Sequence, residues 1–221
     1  MARILITSGP TREYLDPVRY LTNGSSGRMG AALAQAALDA GHEVTVVSGP
    51  VQIAYPAAAK IVAVVSTGEM LDACSEAFSA SDGVIGAAAP SDYRPRSVHS
   101  QKIAKTGKPL ELRLLETPDV MAAMGSTKRA DQWMVGFALE THDRHIRALV
   151  KLEKKSCDLM VLNGPEAMDS HRTEVEIIDS RGHTLRTLAG SKEHVAKEIL
   201  QLIQSVLISP RLPGKGRSSR P

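Results

Sequence analysis

Aromatic residues are scarce in this chain of 221 residues, since phenylalanine, tyrosine and tryptophan together account for 3% of it. Proteins that bind single-stranded nucleic acids stack bases on such side chains, so the scarcity argues against that class. The formal net charge is only +3, and the basic residues form local clusters instead of one basic face. We therefore expect no nucleic-acid partner.

Cysteine, metal-binding motifs and long apolar runs are also lacking. Cys74 and Cys157 are far apart and lack the spacing of metal ligands, so we interpret them as small buried apolar residues. The histidines form no HxH or HExxH pattern. No apolar run approaches the roughly 20 residues that span a membrane, and no secretory signal is recognisable. These absences predict a soluble, cytoplasmic protein without a membrane partner and without a metal site built from its own side chains.

Apolar runs of strand length alternate with helical patterns in the first part of the chain. This alternation is typical of an α/β protein with a parallel sheet covered on both faces. The predicted strands are Arg3–Thr7, Glu43–Ser48, Lys60–Val65, Gly83–Ala88, Trp133–Ala138 and Asp158–Asn163. The predicted helices are Met29–Ala40, Gly68–Ala80 and His142–Lys155, with Gly41 at a helix C-terminus.

The rest of the chain departs from this alternation. The stretch from Pro90 to Pro109 is polar, contains three prolines and predicts a long flap. Thr117 and Pro118 resemble the N-cap and first residue of a short helix. Two runs, 174–179 and 184–188, flank a turn and predict a β-hairpin, and a closing helix follows from Ser191 to Leu207. We expect one domain over residues 1–208 and a disordered basic tail over residues 209–221.

The most informative segment is the long polar loop from Gly9 to Gly30, which lies between a strand and a helix. Its glycines and serines are concentrated where the helix begins. Free N–H groups at a helix N-terminus attract anions, and glycine lets a phosphate approach the backbone. The loop therefore predicts a phosphate or nucleotide cradle, in which the hydroxyls of Ser25 and Ser26 add donors.

Other interpretations of this loop stay open. The glycines are spaced GxxGxxG instead of the GxGxxG of dinucleotide sites, and Glu43 opens the second strand instead of ending it. No Walker A Gly-Lys-Ser/Thr is present. A dinucleotide-binding oxidoreductase and a helix-entry loop that binds nothing are the alternatives.

A second candidate segment follows the strand that begins at Gly83. Ligands of open α/β sheets bind beyond the C-terminal ends of the strands. Small side chains there let a flat ring reach the N–H and C=O groups of the backbone, and Asp92 can accept from an amino group or a ribose. The alternative is that Asp92 is a solvated turn residue.

Lysines supply the third candidate group. Lys102 and Lys105 lie on the predicted flap, where they can close over phosphates and neutralise charge on leaving pyrophosphate. Lys151 and Lys155 share a helix face near its C-terminus and are candidates for a second phosphate contact. A solvated charged loop is the alternative for the flap lysines, and at the helix C-terminus cations complement the helix macrodipole without any ligand. Magnesium carried on substrate phosphates fits this pattern better than a protein-built metal site.

Taken together, the motifs closely resemble the phosphopantothenate–cysteine ligase (phosphopantothenoylcysteine synthetase) family. The most specific block is GPTRE…DPVRYLTNGSSGRMG over residues 9–30, followed by VVSGP, AAAPSDYR, KIAK, TPD and GFALET. The resemblance covers residues 2 to about 207 and implies a Rossmann-like, doubly wound, mainly parallel sheet with a flap and a C-terminal hairpin plus helix. Because this chain begins at the ligase region, we expect a free-standing bacterial type.

The resemblance implies an activity and a set of roles. The family joins 4'-phosphopantothenate to L-cysteine in coenzyme A biosynthesis, and its bacterial members use CTP with Mg²⁺ (or Mn²⁺) through an acyl-cytidylate. Asn23 would hold the activated carbonyl, Arg19 would bind the phosphopantothenate side, and Lys102 would assist activation. The residues implied for nucleotide binding are Ser25, Ser26, Gly27, Gly86, Ala87, Ala88, Ala89, Asp92, Phe137, Lys151 and Lys155.

The resemblance also implies partners, and the chain departs from the family pattern in places. Members dimerise through the flap and its neighbouring strand, and a separate phosphopantothenoylcysteine decarboxylase would act on the product. The family's flap motif has a lysine where this chain has Ala104, so the flap carries one charge less. Glu116 replaces a usual lysine. A nucleotide-binding module that has lost turnover is therefore a further alternative.

Overall fold

The computed structural model describes residues 1–139, 144–163 and 172–209; the side chains of Arg144 and Arg172 are outside this description. The predicted basic tail, the start of the helix predicted from His142 and the segment 164–171 lie outside the described residues. Among the residues described, no helix is long and apolar enough to cross a membrane.

One eight-stranded sheet forms the centre of the molecule. Its strands are β1 (Arg3–Ser8), β4 (Glu43–Ser48), β5 (Lys60–Ala63), β6 (Gly83–Gly86), β9 (Trp133–Leu139), β10 (Leu159–Asn163), β11 (Arg172–Asp179) and β12 (Thr184–Ser191). Their order across the sheet is β12-β11-β10-β9-β6-β1-β4-β5. The strands β10, β9, β6, β1, β4 and β5 pair in parallel, whereas β11 and β12 form an antiparallel edge.

In the part of the chain that the structure describes, five α-helices cover the two faces of this sheet. Helices α1 and α5 pack on one face, and α2, α3 and α4 pack on the other. Successive residues of β1 alternate between the two cores, because Ile4 and Ile6 face the first and Leu5 faces the second. The helices are α1 (Arg28–Asp39), α2 (Thr67–Ser79), α3 (Val120–Ser126), α4 (Arg144–Lys154) and α5 (Lys192–Ile203), and a π-helical turn (Gln204–Ile208) extends α5. The predicted doubly wound α/β fold is confirmed.

Two small ribbons lie where the sequence predicted only loops. The long loop after β1 contains the antiparallel pair β2 (Arg12–Tyr14) and β3 (Tyr20–Thr22). The Arg12 guanidinium lies 4.5 Å from the centre of the Tyr20 ring, which also meets the Tyr14 ring edge-on. Likewise, the predicted flap contains β7 (Tyr93–Pro95), which pairs with β8 (Leu114–Glu116).

The predicted start of α3 is wrong by two residues. Thr117 does not cap the helix, because its hydroxyl donates to the Ser91 carbonyl at 2.6 Å. Asp119 is the N-cap, and its carboxylate accepts from the Ala122 N–H. Pro118 therefore precedes the cap, where a proline still suits the extended entry to a helix.

Candidate functional site

The candidate site lies where the strand order of the sheet reverses. From β1 the sheet continues to β4 on one side and to β6 on the other, and ligands of such sheets bind at this point beyond the strand ends. The loops that leave β1 and β6 are joined there, since the Ala87 N–H donates to the Thr7 carbonyl and the Ala89 N–H donates to the Gly9 carbonyl.

A cleft of about 310 Å³ opens beside the end of β6. Five of the predicted nucleotide-binding residues line it: Gly86, Ala88, Asp92, Phe137 and Lys155. Asp92 is exposed and Phe137 is half-buried, so a carboxylate and an aromatic face both border this space. The structure thus brings together residues that extend from Gly86 to Lys155 in the sequence.

The backbone of residues 87–89 offers fewer donors than the sequence led us to expect. The N–H groups of Ala87 and Ala89 donate to β1 and its loop, and the Ala88 N–H donates to the Thr7 hydroxyl at 3.2 Å. Each N–H carries one proton, so these groups are already used within the protein. A base that enters the cleft would therefore be recognised by carbonyl oxygens and by Asp92 instead of by these N–H groups.

A buried group of threonine hydroxyls fixes the backbone next to Asp92. The Ser91 N–H donates to the Thr11 hydroxyl at 2.8 Å, and the Ser91 carbonyl accepts from the hydroxyls of Thr67 and Thr117. Thr11 and Thr67 also bond each other at 2.8 Å. Because the N–H and the carbonyl of Ser91 are both hydrogen-bonded, the backbone that carries Asp92 is fixed at the rim of the cleft.

Lysines border the same cleft at the C-terminal end of α4. The Lys155 ammonium lies 3.2 Å from a carboxylate oxygen of Asp119, and Lys154, which the sequence analysis did not single out, also lines the cleft. Lys151 lies one turn earlier on α4 and does not line the cleft. The position of Lys154 next to Lys155 was the only sequence signal that could have identified it as a cleft residue. The helix α4 ends at Lys154, so helical periodicity does not relate the two side chains.

The Gly–Ser loop borders a second cleft, of about 520 Å³. Ser25 and Ser26 line it, together with the cationic side chains of Arg12 and Arg28. The following residue, Gly27, is the N-cap of α1 with φ 75°, and no side chain caps this helix. The first N–H groups of α1 therefore lie beside a cationic cleft, an arrangement that favours an anion.

Asn23 connects the two clefts. Its side chain lines the second cleft, and its amide Nδ2 donates to the carbonyls of Ala89 at 3.3 Å and Pro90 at 2.8 Å. Pro90 in turn lines the first cleft. The sequence separates these residues widely, but the structure places the Asn23 amide at the junction.

Arg19 and Lys102 lie outside the lining of both clefts. The Arg19 guanidinium is paired with the carboxylate of Asp16 and also donates to the Ile103 carbonyl at 2.7 Å. Lys102 is exposed on the flap. Their predicted roles stay predictions, and Asp16 is a residue that the sequence analysis missed.

Met121 was also missed, and it restricts the cleft directly. A Cβ added to Gly86 would lie 2.4 Å from the Met121 Sδ. The lack of a Cβ at Gly86 therefore makes room for the Met121 side chain of α3, so the space beside this glycine is not left open for a ligand. No sequence pattern indicates this contact, because it depends on how α3 docks against β6.

Oxygen donors are the groups available for a metal ion. Among the described residues, no group of three or more histidine, cysteine, aspartate or glutamate side chains is arranged to hold one. Asp92 and Glu116 border the first cleft as carboxylates, and Mg²⁺ prefers oxygen ligands and retains several waters when it rides on phosphates. This donor set fits an ion held mainly by a substrate.

Comparison with known proteins places these features in a family. Residues 1–207 match the model of the DNA/pantothenate metabolism flavoprotein C-terminal domain. The Coenzyme A biosynthesis bifunctional protein CoaBC of Vibrio vulnificus strain CMCP6 is 40% identical over 210 residues, which are 92% of this chain and 52% of that protein. The chain thus spans about half the length of this relative.

Solved structures share the fold. The C-terminal domain of a CoaBC protein superposes with a TM-score of 0.81 at 37% identity and covers 94% of this chain and 96% of its own. A Cab2 variant in complex with phosphopantothenate-cysteine gives a TM-score of 0.78, with 92% of this chain and 85% of that chain covered. Its identity is 15%, so that likeness concerns the fold alone.

Proposed function

Because the chain belongs to the family of DNA/pantothenate metabolism flavoprotein C-terminal domains, we propose that it joins 4'-phosphopantothenate to L-cysteine in coenzyme A biosynthesis. The relative named above is a coenzyme A biosynthesis protein, and a Cab2 protein of the same fold binds the product of such a ligation. The observation that carries the proposal is the Asn23 amide at the junction of a cationic cleft and a cleft lined by Asp92 and Phe137.

The proposed reaction has two steps. The carboxylate of phosphopantothenate attacks the α-phosphate of CTP, which forms an acyl-cytidylate and releases pyrophosphate. The cysteine amine then attacks the acyl carbon, the amide forms, and CMP leaves with its oxygen bearing the electron pair. Both steps depend mainly on positioning and on neutralising phosphate charge.

The two clefts divide the nucleotide between them in this proposal. Asp92, Phe137 and the carbonyls of residues 86–88 would receive the base and ribose, and the amino group of cytosine is a donor that suits these acceptors. Lys154 and Lys155 would supply positive charge at the rim and Lys151 would add to it from one turn earlier on α4, while Ser25, Ser26 and the N-terminus of α1 would hold phosphates. Asn23 would donate to the acyl carbonyl, and Arg19 and Lys102 keep the substrate and activation roles given above.

Magnesium or manganese would be held by the CTP phosphates with Asp92 or Glu116 nearby, and would supply neutralisation of phosphate charge. The protein's own contribution is orientation. The hydrogen bonds to the Ser91 backbone would fix Asp92, and the Asp119 carboxylate would fix the Lys155 ammonium. The choice of CTP is part of the proposal and does not follow from the carbonyl acceptors, since these also suit the amino group of adenine.

Two structural features argue against the dinucleotide alternative. The loop between β1 and α1 contains a β-ribbon instead of a tight glycine turn. Moreover, β4 ends at Ser48, whose hydroxyl is bonded within the protein, where a dinucleotide site needs an acidic residue for the ribose.

The direct test is product formation followed by mass spectrometry, with CTP and ATP in parallel. We expect phosphopantothenoylcysteine only when phosphopantothenate, cysteine, nucleotide and magnesium are all present, and more of it with CTP. Hydride transfer from a reduced nicotinamide cofactor, with no amide product, would favour the oxidoreductase. Tight CTP binding without product would favour an inactive module.

We further propose a homodimer formed by the β7–β8 ribbon and the flap. This surface exposes a group of large apolar side chains: Tyr93, Val98, Leu110, Leu112, Leu114 and Leu115. Apolar surface of this kind, collected on the ribbon and on the segment that joins its two strands, is typical of an interface.

The dimer proposal predicts that Leu112→Glu lowers the mass measured by sedimentation from dimer to monomer, because a carboxylate would be buried in the interface. Leu185→Glu on the C-terminal hairpin is the matched control, since both leucines are 38% exposed. A monomeric parent chain, or equal effects of the two variants, would contradict the proposal.

The proposed reaction also implies a partner activity. Its product carries the cysteine carboxylate, so a phosphopantothenoylcysteine decarboxylase must act next. We propose that this decarboxylase works beside the ligase in the cytoplasm as a separate chain; the product assay should then release carbon dioxide only when a decarboxylase is added, and release by this chain alone would contradict the proposal.

A further inference from the structure

The flap is attached to the rest of the molecule at one buried carboxylate. Asp16 is completely buried, and one of its oxygens accepts from the Ile103 N–H at 3.0 Å. The Arg19 guanidinium donates to the same oxygen and to the Ile103 carbonyl. Both polar groups of the Ile103 residue are therefore held by the Asp16–Arg19 pair, across a sequence separation of 87 residues.

The burial pattern of the flap agrees with a single anchor. Every residue from Arg96 to Glu116 is exposed except Ile103, which is half-buried. A second backbone bond, from the His99 N–H to the Leu15 carbonyl, lies beside the same turn. Lys102 immediately precedes the anchored residue, so the position of its backbone follows from that of Ile103.

The other oxygen of Asp16 has a separate task. It accepts from the N–H groups of Val18 and Arg19 at 2.9 Å and so closes the local turn. The Arg19 guanidinium and the N–H donors hold the pKa of Asp16 well below its usual range, although burial acts in the opposite direction. The carboxylate is therefore ionised, with one oxygen for the turn and one for the flap.

We propose that Asp16 is a positioning residue that holds the flap, and with it the Lys102 ammonium, through the backbone of Ile103. The contribution of Lys102 to turnover rests on the proposed function, whereas the attachment of the flap does not. On this view Arg19 acts through the flap as well, since its guanidinium group donates to both the Asp16 carboxylate and the Ile103 carbonyl.

The test uses Asp16→Asn in the full chain. An asparagine retains an oxygen for the turn at Val18 and Arg19, but its NH₂ group would face the donors of Ile103 and Arg19. The matched control is Asp72→Asn, which removes an exposed carboxylate from α2. Trypsin cleavage after Lys102 and Lys105 reports on the flap without requiring any activity.

We expect Asp16→Asn to accelerate cleavage at these two lysines about tenfold, because trypsin needs the flap backbone to detach locally before it can cleave, and Asp72→Asn to leave the rate unchanged. Arg19→Lys is the second variant, since it keeps a cation for the buried carboxylate but loses the guanidinium group that donates to Asp16 and to Ile103 at the same time. It should also accelerate cleavage. Unchanged cleavage in both folded variants would overturn the anchor, whether or not the protein is a ligase.

A double-mutant cycle tests whether the anchor acts through Lys102. We expect Asp16→Asn to lower kcat about tenfold or more, with a smaller change in the KM for CTP, because the lysine is misplaced. In a Lys102→Gln background the same change should cost little further. Additive losses would assign Asp16 a merely structural role, while absence of ligase activity in the parent chain would overturn the proposed function and leave the cleavage result to decide the anchor.

Discussion

At the scale of single residues, Asn23 has an amide that donates to two carbonyls of the loop after β6. Its side chain is nevertheless exposed, so a substrate carbonyl can reach the same NH₂ group. In the proposed reaction, the Asn23 amide would turn its donor from these two carbonyls toward an acyl carbonyl, so the proposal predicts that an amide is needed at this position.

Asn23→Asp should therefore reduce product formation by about 100-fold, since the loss of one donor to a developing oxyanion costs about that much. The carboxylate would also repel the carbonyls of Ala89 and Pro90. The melting temperature should stay close to that of the parent, because the side chain is exposed.

The control for this prediction is Gln201→Glu, which adds the same charge at an exposed position of α5. Product formation should be unaffected by it. Equal turnover of Asn23→Asp and the parent chain would remove Asn23 from the reaction.

Residue identities were predictable here, but their partners were not. The sequence marked the small residues of the Gly83 strand and Asp92, because small and polar residues at a strand end indicate a site, whereas Asn23 was implied by the family resemblance. It could not indicate that Asp16 bonds Ile103 or that Thr11 bonds Ser91, since these contacts depend on the docking of two loops. The missed role of Asp16 followed from this limit.

At the scale of elements, the loop after β6 that carries Ser91 and Asp92 depends on the buried start of α2. Thr67 opens this helix after the Ser66 cap, and its N–H donates to the buried carboxylate of Glu13 in β2. Its hydroxyl bonds Thr11 and the Ser91 carbonyl. Three separate elements thus share one polar network beneath Asp92.

Thr67→Val should lower the free energy of unfolding by about 1–2 kcal/mol, because valine keeps the shape but leaves buried polar groups without a partner. It should also raise the KM for CTP, since the backbone before Asp92 loses one of its bonds. Urea unfolding and steady-state kinetics measure the two effects.

Ser75→Ala on the exposed face of the same helix is the control, because it removes a hydroxyl that bonds only the helix backbone. A Thr67→Val protein with unchanged stability and unchanged KM would contradict the network's role.

Element type was largely predictable, and element ends were less so. Near-continuous apolar runs indicated the parallel strands, and Gly41, with φ 79°, ends α1 as expected. The cap of α3 was misassigned because Thr117 and Asp119 are both good caps, and only the tertiary bond of Thr117 to Ser91 decides between them. The two ribbons escaped prediction because strands of three residues carry too little periodicity.

At the scale of the whole molecule, the order of the sheet determines where the loops meet. β1 lies between β4 and β6, so the polar loop after β1 and the small-residue loop after β6 leave the sheet side by side. The sequence predicted a parallel sheet but not this order, which follows from the crossover connections. The convergence of both loops is what makes a two-step reaction with one nucleotide physically reasonable.

The most direct test of this account is pyrophosphate release from CTP and magnesium, measured with and without 4'-phosphopantothenate and cysteine. The account predicts release that requires phosphopantothenate and becomes multiple-turnover only when cysteine is added, because cysteine displaces CMP and frees the site. Release that ignores phosphopantothenate, or no release from folded protein with either CTP or ATP, would contradict it.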